Sequence, residues 1–298
     1  MEIAITGSTG LIGSALVTAL TAGGHRIARI VRAQPQAGSP DVFWDPAKAY
    51  VDTTRLEGKD AVVHLAGESI AERWTPQKKI RIHQSRIRGT QMIAEALRQL
   101  AKPPAVLVSA SAIGWYGDRG EEVLREDSAP GAGYLAEVCR DWEAATEPAA
   151  RAGIRVVHLR TGIVLSADGG ALAKMLPPFR MGAGGKLGSG KQYMSWIALD
   201  DHIAAIQHVI QSPSLQGPVN LVAPNPATNL QFTKALGKAL ARPTIAPLPA
   251  FAVRLLFGQM GVELLLASQR VQPARLQASG FTFRYPDLEG ALRHVLSH

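Results

Sequence analysis

The feature that most constrains this chain is a short apolar strand that runs directly into a glycine-rich turn and then into a helix. Residues 2–13 read Glu-Ile-Ala-Ile-Thr-Gly-Ser-Thr-Gly-Leu-Ile-Gly. Gly7 permits the tight turn, Gly10 lets the backbone approach a ligand without a Cβ atom in the way, and Gly13 lets the helix lie close to the sheet. The first amides of a helix are unpaired and carry the positive end of its dipole. The turn therefore predicts a site for the diphosphate of a dinucleotide.

Strand-like and helix-like patterns alternate along most of the chain. The strand-like runs are 3–6, 26–31, 61–65, 105–109, 154–159 and 218–222, and the helical patterns between them are 11–22, 76–100, 134–152 and 200–211. Such alternation is typical of right-handed βαβ crossovers. The sequence therefore predicts an α/β fold with a doubly wound, parallel, Rossmann-type sheet.

The chain divides into two predicted domains. Residues 1–222 form the nucleotide-binding domain, and the mainly helical pattern of 223–298 predicts a smaller lobe over the carboxyl edge of the sheet, where ligands of such folds bind. The glycine- and proline-rich segment 166–195 is interpreted either as a disordered loop or as a mobile flap that contributes to the cleft. The substrate pocket is expected between the two lobes.

Composition excludes several classes of protein. The single cysteine, Cys139, rules out an intramolecular disulfide and a cysteine-rich metal site, and the histidines have no metal-ligand spacing. No apolar run is long enough to span a bilayer, and the chain starts directly with a strand. We therefore expect a cytoplasmic protein without a metal, a membrane partner or a secretory signal.

The net charge of +8 leaves three interpretations open. Six cations occur without an acidic residue among them, at Arg73, Lys78, Lys79, Arg81, Arg86 and Arg88. They form either a solvated helix face or a site for a phosphorylated small molecule. Nucleic-acid binding is the least favoured interpretation, because the chain has no helix-turn-helix, zinc-finger or aromatic RNA-binding signature.

Arg32 predicts which dinucleotide is bound. In folds of this kind, an acidic residue at the end of the second strand binds the ribose hydroxyls of NAD, whereas an arginine suits the 2′-phosphate of NADP. Arg32 occupies that position, with Arg29 nearby. A guanidinium can pair with a phosphate through two hydrogen bonds. The predicted cofactor is therefore NADP, with a surface arginine at a strand end as the alternative.

Several motifs together resemble one known family. Residues 6–13, the Leu-Ala-Gly turn at 65–67 and Ser-Ala-Ser-Ala-Ile-Gly-Trp-Tyr-Gly at 109–117 resemble the extended short-chain dehydrogenase/reductase superfamily. Its atypical "epimerase family" branch, which ends in a domain of unknown function, is similar at Ala-Gly-Glu 66–68, Asp-Trp-Glu 141–143, Arg-Thr-Gly-Ile-Val-Leu 160–165, Gly-Ser-Gly-Lys-Gln 188–192, Ser-Trp-Ile 195–197 and Gln-Arg-Val-Gln-Pro 269–273. The resemblance covers almost the whole chain.

The resemblance implies a set of cofactor-binding residues. The glycine loop would hold the diphosphate, Arg32 the 2′-phosphate, and the turn after the third predicted strand the adenine-side ribose. Arg86 and Arg160 would lie near the cofactor, with a structural salt bridge as the alternative for each. The full set is Gly7, Ser8, Thr9, Gly10, Leu11, Ile12, Gly13, Arg32, Leu65, Ala66, Gly67, Arg86, Ser109 and Arg160.

The chain departs from the superfamily where the chemistry is expected. Members normally carry a tyrosine and, four residues later, a lysine that lowers its pKa. When the chain is aligned at Tyr134, the lysine position is Val138. When it is aligned by Glu143 instead, Leu135 stands at the tyrosine position and Cys139 at the lysine position. Catalytic candidates are therefore Ser111, at the serine position of the superfamily, and the phenol at position 116, Tyr116, which has a pocket-wall role as its alternative.

Two functions follow from these motifs. The first is an NADP(H)-dependent oxidoreductase or epimerase that acts on a small substrate of sugar-nucleotide or carbonyl type. The second is a non-catalytic NADP(H)-binding module that senses the nucleotide or presents a surface to a protein partner. The sequence specifies neither the substrate nor the oligomeric state.

Overall fold

The computed structural model describes residues 1–297. Its strands are β1 (Glu2–Thr6), β2 (Arg26–Val31), β3 (Val42–Asp45), β4 (Tyr50–Val51), β5 (Ala61–His64), β6 (Val106–Ala112), β7 (Val123–Leu124), β8 (Arg155–Thr161), β9 (Ile163–Leu165), β10 (Tyr193–Met194), β11 (Trp196–Ala198), β12 (Gly217–Leu221), β13 (Ala227–Thr228) and β14 (Arg270–Val271). Its α-helices are α1 (Leu11–Ala22), α2 (Pro76–Arg98), α3 (Tyr134–Ala144), α4 (Glu147–Arg151), α5 (Gly170–Arg180), α6 (Leu199–Gln211), α7 (Asn229–Ala239), α8 (Ala250–Met260), α9 (Ala274–Ala278) and α10 (Leu288–Leu296). A π-helical turn, Gly261–Leu266, follows α8.

The main sheet has the strand order β12-β8-β6-β5-β1-β2-β3-β4. Its strands pair in parallel except for β3 and β4, which are antiparallel. The predicted doubly wound parallel α/β fold is confirmed. Strands β2 to β4 extend the sheet on one side of β1, and the later strands extend it on the other side, starting with β5. The strand order therefore reverses between β1 and β5. In open sheets of this kind, ligands bind in the crevice beyond the carboxyl ends of the strands at that reversal.

Both faces of the sheet are buried. Ile3 and Ile5 pack in one cluster with residues of α1 and α6, whereas Ala4 and Val62 pack in a second cluster with residues of α2. Each large aliphatic side chain buried in this way contributes about 1.5–3 kcal/mol. Because both faces of the central parallel strands are buried, these strands are continuous apolar runs in the sequence, and the sequence pattern could predict them.

The differences from the sequence prediction include one helix and one hairpin whose physical reasons are clear. The predicted helix 134–152 is divided into α3 and α4, and Pro148 lies in the first turn of α4. Proline lacks the N–H needed inside a helix but is tolerated in its first turn. The β3–β4 hairpin was missed, because β4 has two residues at the sheet edge and leaves little periodicity to detect.

The segment 166–195 is largely structured. It contains α5, which includes Pro177 and Pro178 near its end, and it continues into a stretch that packs against residues 243–250. A Cβ atom added to Gly185 would lie 2.0 Å from the Ala246 carbonyl oxygen. Glycine is therefore required there by the close approach of two backbones.

The C-terminal residues contribute to two cores. Phe232 and Leu292 pack with Trp196 in one cluster, whereas Phe281 packs against the cluster beneath the main sheet. The predicted boundary between 1–222 and 223–298 stays a prediction. Within residues 1–297, no helix is both long and apolar enough to cross a membrane, and no group of acidic, histidine or cysteine side chains is arranged to hold a metal ion.

Candidate functional site

The glycine loop after β1 and the turn after β5 face each other at the strand-order reversal. Gly7 adopts a φ of 66°, a region that favours glycine. A Cβ atom added there would lie 2.9 Å from the carbonyl carbon of Leu65. Two of the predicted nucleotide-binding segments are therefore brought into contact.

The N-terminus of α1 is open toward the crevice. Gly10 caps the helix without a side-chain hydrogen bond, so the first-turn amides have no internal partner from a cap. Its φ of −78° and ψ of 170° are accessible to any residue, and an added Cβ would have a single neighbour, the Gly7 carbonyl oxygen at 3.4 Å. The absence of a side chain at Gly10 therefore leaves room for a ligand, and a diphosphate fits this cradle.

The remaining loop residues hold the cradle in place. A Cβ atom at Gly13 would lie 2.1 Å from the Gly7 carbonyl oxygen, so the helix can approach the loop only with glycine there. Ser8 is buried, Thr9 is exposed and Ile12 is partly buried. The Leu11 side chain lies against residues 169–170 at the start of α5.

Thr6 fixes the turn after β5 relative to the glycine loop. Its Oγ1 atom accepts hydrogen bonds from the backbone N–H groups of Leu65 at 2.9 Å and Ala66 at 3.1 Å. The hydroxyl also lies 2.9 Å from Nδ1 of His64. Because the hydroxyl already accepts two bonds, its own proton is directed to the histidine ring. This shared contact was not anticipated from the sequence.

Arg32 is exposed just beyond the end of β2. Its side chain makes no hydrogen bond or ion pair with any residue in the described range 1–297. A free guanidinium at this position is available to a phosphate on the adenosine side of the crevice. Its predicted role as the 2′-phosphate contact stays a prediction.

Arg86 reaches from α2 to the turn after β5. Its Nη1 donates to the carbonyl oxygens of Glu68 at 2.9 Å and Ile82 at 3.3 Å. Its guanidinium carbon lies 4.9 Å from the centre of the Trp142 ring and would be 3.4 Å from a Cβ atom added at Gly67. Burial lowers the pKa of Arg86, which marks an environment that favours an added negative charge.

Arg160 forms a buried ion pair rather than facing the crevice. Its Nε and Nη2 donate to the two carboxylate oxygens of Glu143 at 2.8 and 2.9 Å, and the side chain is 3% exposed. Burial acts to lower the pKa of Arg160, but the hydrogen bonds and charge interactions with Glu143 and Tyr116 together outweigh burial and raise the pKa. Of the two alternatives for Arg160, the structural salt bridge is observed, and the cofactor contact stays a prediction.

Ser111 belongs to the same buried group. Its Oγ donates to Oε1 of Glu143 at 2.7 Å. A serine hydroxyl has one proton, so while this bond persists Ser111 can accept a hydrogen bond from a substrate but cannot donate one. Ser109, two residues earlier, is also buried, and its hydroxyl lies 3.4 Å from the Ala110 carbonyl oxygen.

The Tyr116 hydroxyl is directed into the core. It donates to Oδ1 of Asn220 at 2.7 Å and accepts from Nη1 of Arg160 at 3.2 Å. The residue is fully buried, and burial raises its pKa. The catalytic roles assigned to Ser111 and Tyr116 stay predictions. In the structure, both hydroxyls form hydrogen bonds with buried side chains of the protein.

The helix face that should carry the tyrosine and lysine is apolar here. Leu135 and Cys139 lie against Gly114, where an added Cβ would be 3.2 Å from the leucine Cβ and 3.6 Å from the sulfur. Burial raises the pKa of Cys139 to about 12. The Tyr134 hydroxyl donates to the Lys79 carbonyl oxygen at 2.7 Å, and burial raises its pKa to about 12. These groups are therefore protonated at neutral pH.

Two buried histidines make stability depend on pH. Burial lowers the pKa of His64 to about 4 and that of His202 to about 3, from an ordinary value of 6.5. Both rings are neutral in the folded protein, whereas the unfolded chain takes up protons below pH 6.5. Their contribution is fully present above that pH and is lost as the pH falls toward 4 and 3.

We expect the free energy of unfolding to fall by about 1.4 kcal/mol per pH unit for each histidine within this window. Urea unfolding at a series of pH values measures it. The variant His202→Gln should have a smaller slope than the unchanged protein, since one linked proton is removed, whereas His64 and His158, whose pKa burial also lowers, still contribute. A slope unaffected by this substitution would contradict the assignment.

Comparisons with known proteins agree with this geometry. The sequence model of the NAD dependent epimerase/dehydratase family matches residues 3–222, and a domain of unknown function (DUF1731) matches residues 248–295. An epimerase family protein of Mycobacterium bovis is 46% identical over 294 residues, which cover 98% of this chain and 97% of that protein. The crystal structure of human epimerase family protein SDR39U1 (isoform2) with NADPH has a TM-score of 0.91 at 34% identity and covers 100% of both chains.

Proposed function

This chain belongs to the NAD dependent epimerase/dehydratase family, and on that premise we propose that it binds NADP(H) across the β1–β5 crevice and acts as an oxidoreductase or epimerase on a small substrate. The substrate class is of sugar-nucleotide or carbonyl type. When bound, the nicotinamide supplies hydride chemistry. The protein's own residues bind and orient the nucleotide and shape the cleft beside it.

The observation that carries the proposal is the open N-terminus of α1. Its cap residue, Gly10, has a backbone conformation that any residue can adopt, yet a Cβ atom there would meet only the Gly7 carbonyl oxygen, at 3.4 Å, so the space beside the free amides is open. Helix amides and dipole together favour a diphosphate at that place. The similar human structure contains NADPH, which supports the choice of ligand.

Arg32 is proposed to set the preference for NADP(H) over NAD(H). In the variant Arg32→Asp, we expect NADPH affinity to fall about 10- to 150-fold, because a charge-assisted pair contributes about 1.5–3 kcal/mol. NADH affinity should change less than about 3-fold, because NADH has no phosphate there. Calorimetric titration of both nucleotides measures the difference.

Arg29→Asp is the matched control. Arg29 is also exposed, lies on β2 three residues before Arg32, and undergoes the same charge change. We expect this control to keep its NADPH affinity within about 3-fold, since exposed charges are screened by solvent and salt. An equal loss of both nucleotides in the Arg32 variant would overturn the assignment of the 2′-phosphate contact.

The bonding of the hydroxyl groups favours a second candidate function, a nucleotide-sensing or interaction module. Ser111, Tyr116 and Tyr134 each donate their hydroxyl proton to an internal acceptor. A general acid or base needs a group that can exchange a proton with the substrate. The near-ultraviolet absorbance of NADPH, followed across a panel of carbonyl compounds and sugars, distinguishes the two. Turnover that is lost in Ser111→Ala supports the enzyme, whereas tight binding without turnover supports the module.

A further inference from the structure

Residues 68–75 form a strap that connects the turn after β5 to α2 without regular secondary structure. A buried cation attaches the strap to α2. Nζ of Lys78, which is almost fully buried, lies 2.7 Å from the Glu68 carboxylate and also pairs with Glu72. Trp74, at the other end of the strap, is buried against residues of α3 and α8. The strap is therefore held on the α2 side of the crevice.

One hydrogen bond links the strap to α5. Nζ of Lys174 donates to the Ala71 carbonyl oxygen at 2.7 Å, and no other hydrogen bond joins the strap to α5 within the described range 1–297. Both residues are exposed, so water can replace either partner of the bond. Leu172 and Leu176 of α5 are buried in a core cluster. The helix is therefore held by its own packing and does not depend on the strap.

The glycine loop and the first turn of α1 contact both of these segments. A Cβ atom at Gly7 would lie 2.9 Å from the carbonyl carbon of Leu65, in the turn that leads into the strap. A Cβ atom at Gly170, the first residue of α5, would lie 3.4 Å from Cδ2 of Leu11. The cradle for the diphosphate is therefore in contact with the start of the strap on one side and with α5 on the other.

The bond between Lys174 and Ala71 closes these contacts into a ring. The ring consists of the chain segments 7–11, 65–71 and 170–174. The free amides at the N-terminus of α1 belong to its first segment. A dinucleotide has a bulky nucleoside at each end of its diphosphate, so it can enter or leave such a ring only when one junction opens. The exposed hydrogen bond is the junction that opens at the lowest cost, because the other two are close contacts of backbone or of a partly buried side chain.

We propose that the strap and α5 form a gate for the nucleotide, and that the gate opens when the hydrogen bond between Lys174 and Ala71 breaks. This inference rests on the proposed function, since the nucleotide is the ligand that passes the gate. The bond joins two groups of the protein and involves none of the amides of the cradle, so it stabilises the closed gate equally with and without nucleotide. Its loss should therefore change the rates of nucleotide entry and exit and leave the affinity unchanged.

The variant Lys174→Met removes the hydrogen-bond donor and keeps an unbranched side chain. We expect the association and dissociation rate constants of NADPH both to rise about 3- to 10-fold, which is the effect of one net hydrogen bond on an equilibrium. The dissociation constant should stay within about 2-fold, because the two changes cancel. Stopped-flow fluorescence of NADPH binding measures the association rate, and displacement of bound NADPH by excess NADP measures the dissociation rate.

Two control variants isolate the hydrogen bond. Lys174→Arg keeps a charged donor and should keep both rate constants within about 2-fold of those of the unchanged protein. Lys191→Met removes another exposed lysine of the segment 166–195, outside the ring, and should also leave the rates within about 2-fold. Unchanged rates in Lys174→Met would overturn the proposal. So would a weaker affinity without faster association, since the lysine would then bind the nucleotide itself.

A covalent link between the strap and α5 tests the gate directly. In the double variant Ala71→Cys with Lys174→Cys, a bismaleimide with a reducible spacer joins the two segments. The native thiol of Cys139 does not compete, because it is buried and burial raises its pKa to about 12. We expect protein linked before the addition of NADPH to bind it far more slowly, and protein linked with NADPH bound to retain it through gel filtration. Reduction of the spacer should reverse both effects. Binding and release at the rates of the unlinked double variant would overturn the proposal.

Trypsin cleavage after Arg73 separates this inference from the proposed function. Arg73 is an exposed residue of the strap, and proteolysis of a segment follows the population of its open form. Without nucleotide, Lys174→Met should be cleaved there about 3- to 10-fold faster than Lys191→Met, which also lacks one lysine. Equal cleavage rates would overturn the gate. Failure of the unchanged protein to bind NADPH would overturn the proposed function instead, while the cleavage rates still decide whether Lys174 holds the strap.

Discussion

Replacing Gly10 with valine is expected to weaken NADPH binding at least about 100-fold, because the branched side chain would block charge-assisted hydrogen bonds worth about 1.5–3 kcal/mol each. The fold should be preserved. The valine Cβ has one protein neighbour, the Gly7 carbonyl oxygen at 3.4 Å, and the backbone at Gly10 is extended. Calorimetric titration with NADPH measures the loss, and thermal unfolding without nucleotide should show a Tm lowered by no more than about 4 °C, because valine is a poorer N-cap than glycine.

Two further glycines, one in α1 and one directly after it, test the reason for the effect. Gly13→Ala should reduce both nucleotide affinity and stability, since its Cβ would lie 2.1 Å from the Gly7 carbonyl oxygen and the loop must move. Gly23→Ala, at the opposite end of the helix, should leave nucleotide affinity unchanged. Its Cβ would meet the Leu20 carbonyl oxygen at 3.4 Å, and its φ of −76° is accessible to alanine. If Gly10→Val bound NADPH as the unchanged protein does, the diphosphate would not lie at this helix terminus.

The variant Glu143→Leu is expected to be less stable by about 3–5 kcal/mol, because it leaves the buried guanidinium of Arg160 without its carboxylate. The two side chains are 8% and 3% exposed, and the same carboxylate also accepts the hydroxyl proton of Ser111. Urea unfolding at neutral pH measures the change in the free energy of unfolding. The urea concentration at the unfolding midpoint should fall, whereas the dependence of the free energy of unfolding on urea concentration should not change.

Two variants separate loss of the ion pair from loss of packing. Glu147→Leu removes an exposed partner of Arg151, with side chains 58% and 74% exposed, and should change stability by less than about 1 kcal/mol. The double variant Glu143→Leu with Arg160→Met should recover much of the lost stability, since apolar side chains of similar volume replace a buried pair at little cost. A double variant less stable than Glu143→Leu alone would contradict this account of the Arg160 contact.

The nucleotide half of the site follows from local sequence. Glycines three residues apart between a strand and a helix specify the turn, the free amides and the close helix packing, because each requirement involves residues adjacent in the chain. Alternation of apolar runs and amphipathic helices likewise predicted the sheet, since buried parallel strands have few alternatives to apolar side chains. The same reasoning failed at the β3–β4 hairpin, where short edge strands carry a weak pattern.

Only the tertiary structure shows which hydrogen bonds and ion pairs the polar side chains of the candidate site form. Ser111 and Glu143 are 32 residues apart, and Tyr116 and Asn220 are 104 residues apart, so no local motif predicts their hydrogen bonds. Arg160 and Arg86 are both arginines with the same expected role near the cofactor. Arg160 nevertheless has a buried carboxylate partner, whereas Arg86 donates only to backbone carbonyl oxygens and has unpaired donors. Sequence thus determined the fold and the cradle, because backbone conformation and periodicity are local properties. Charge pairing depends on which distant segments the fold brings together, and that could be read only from the assembled chain.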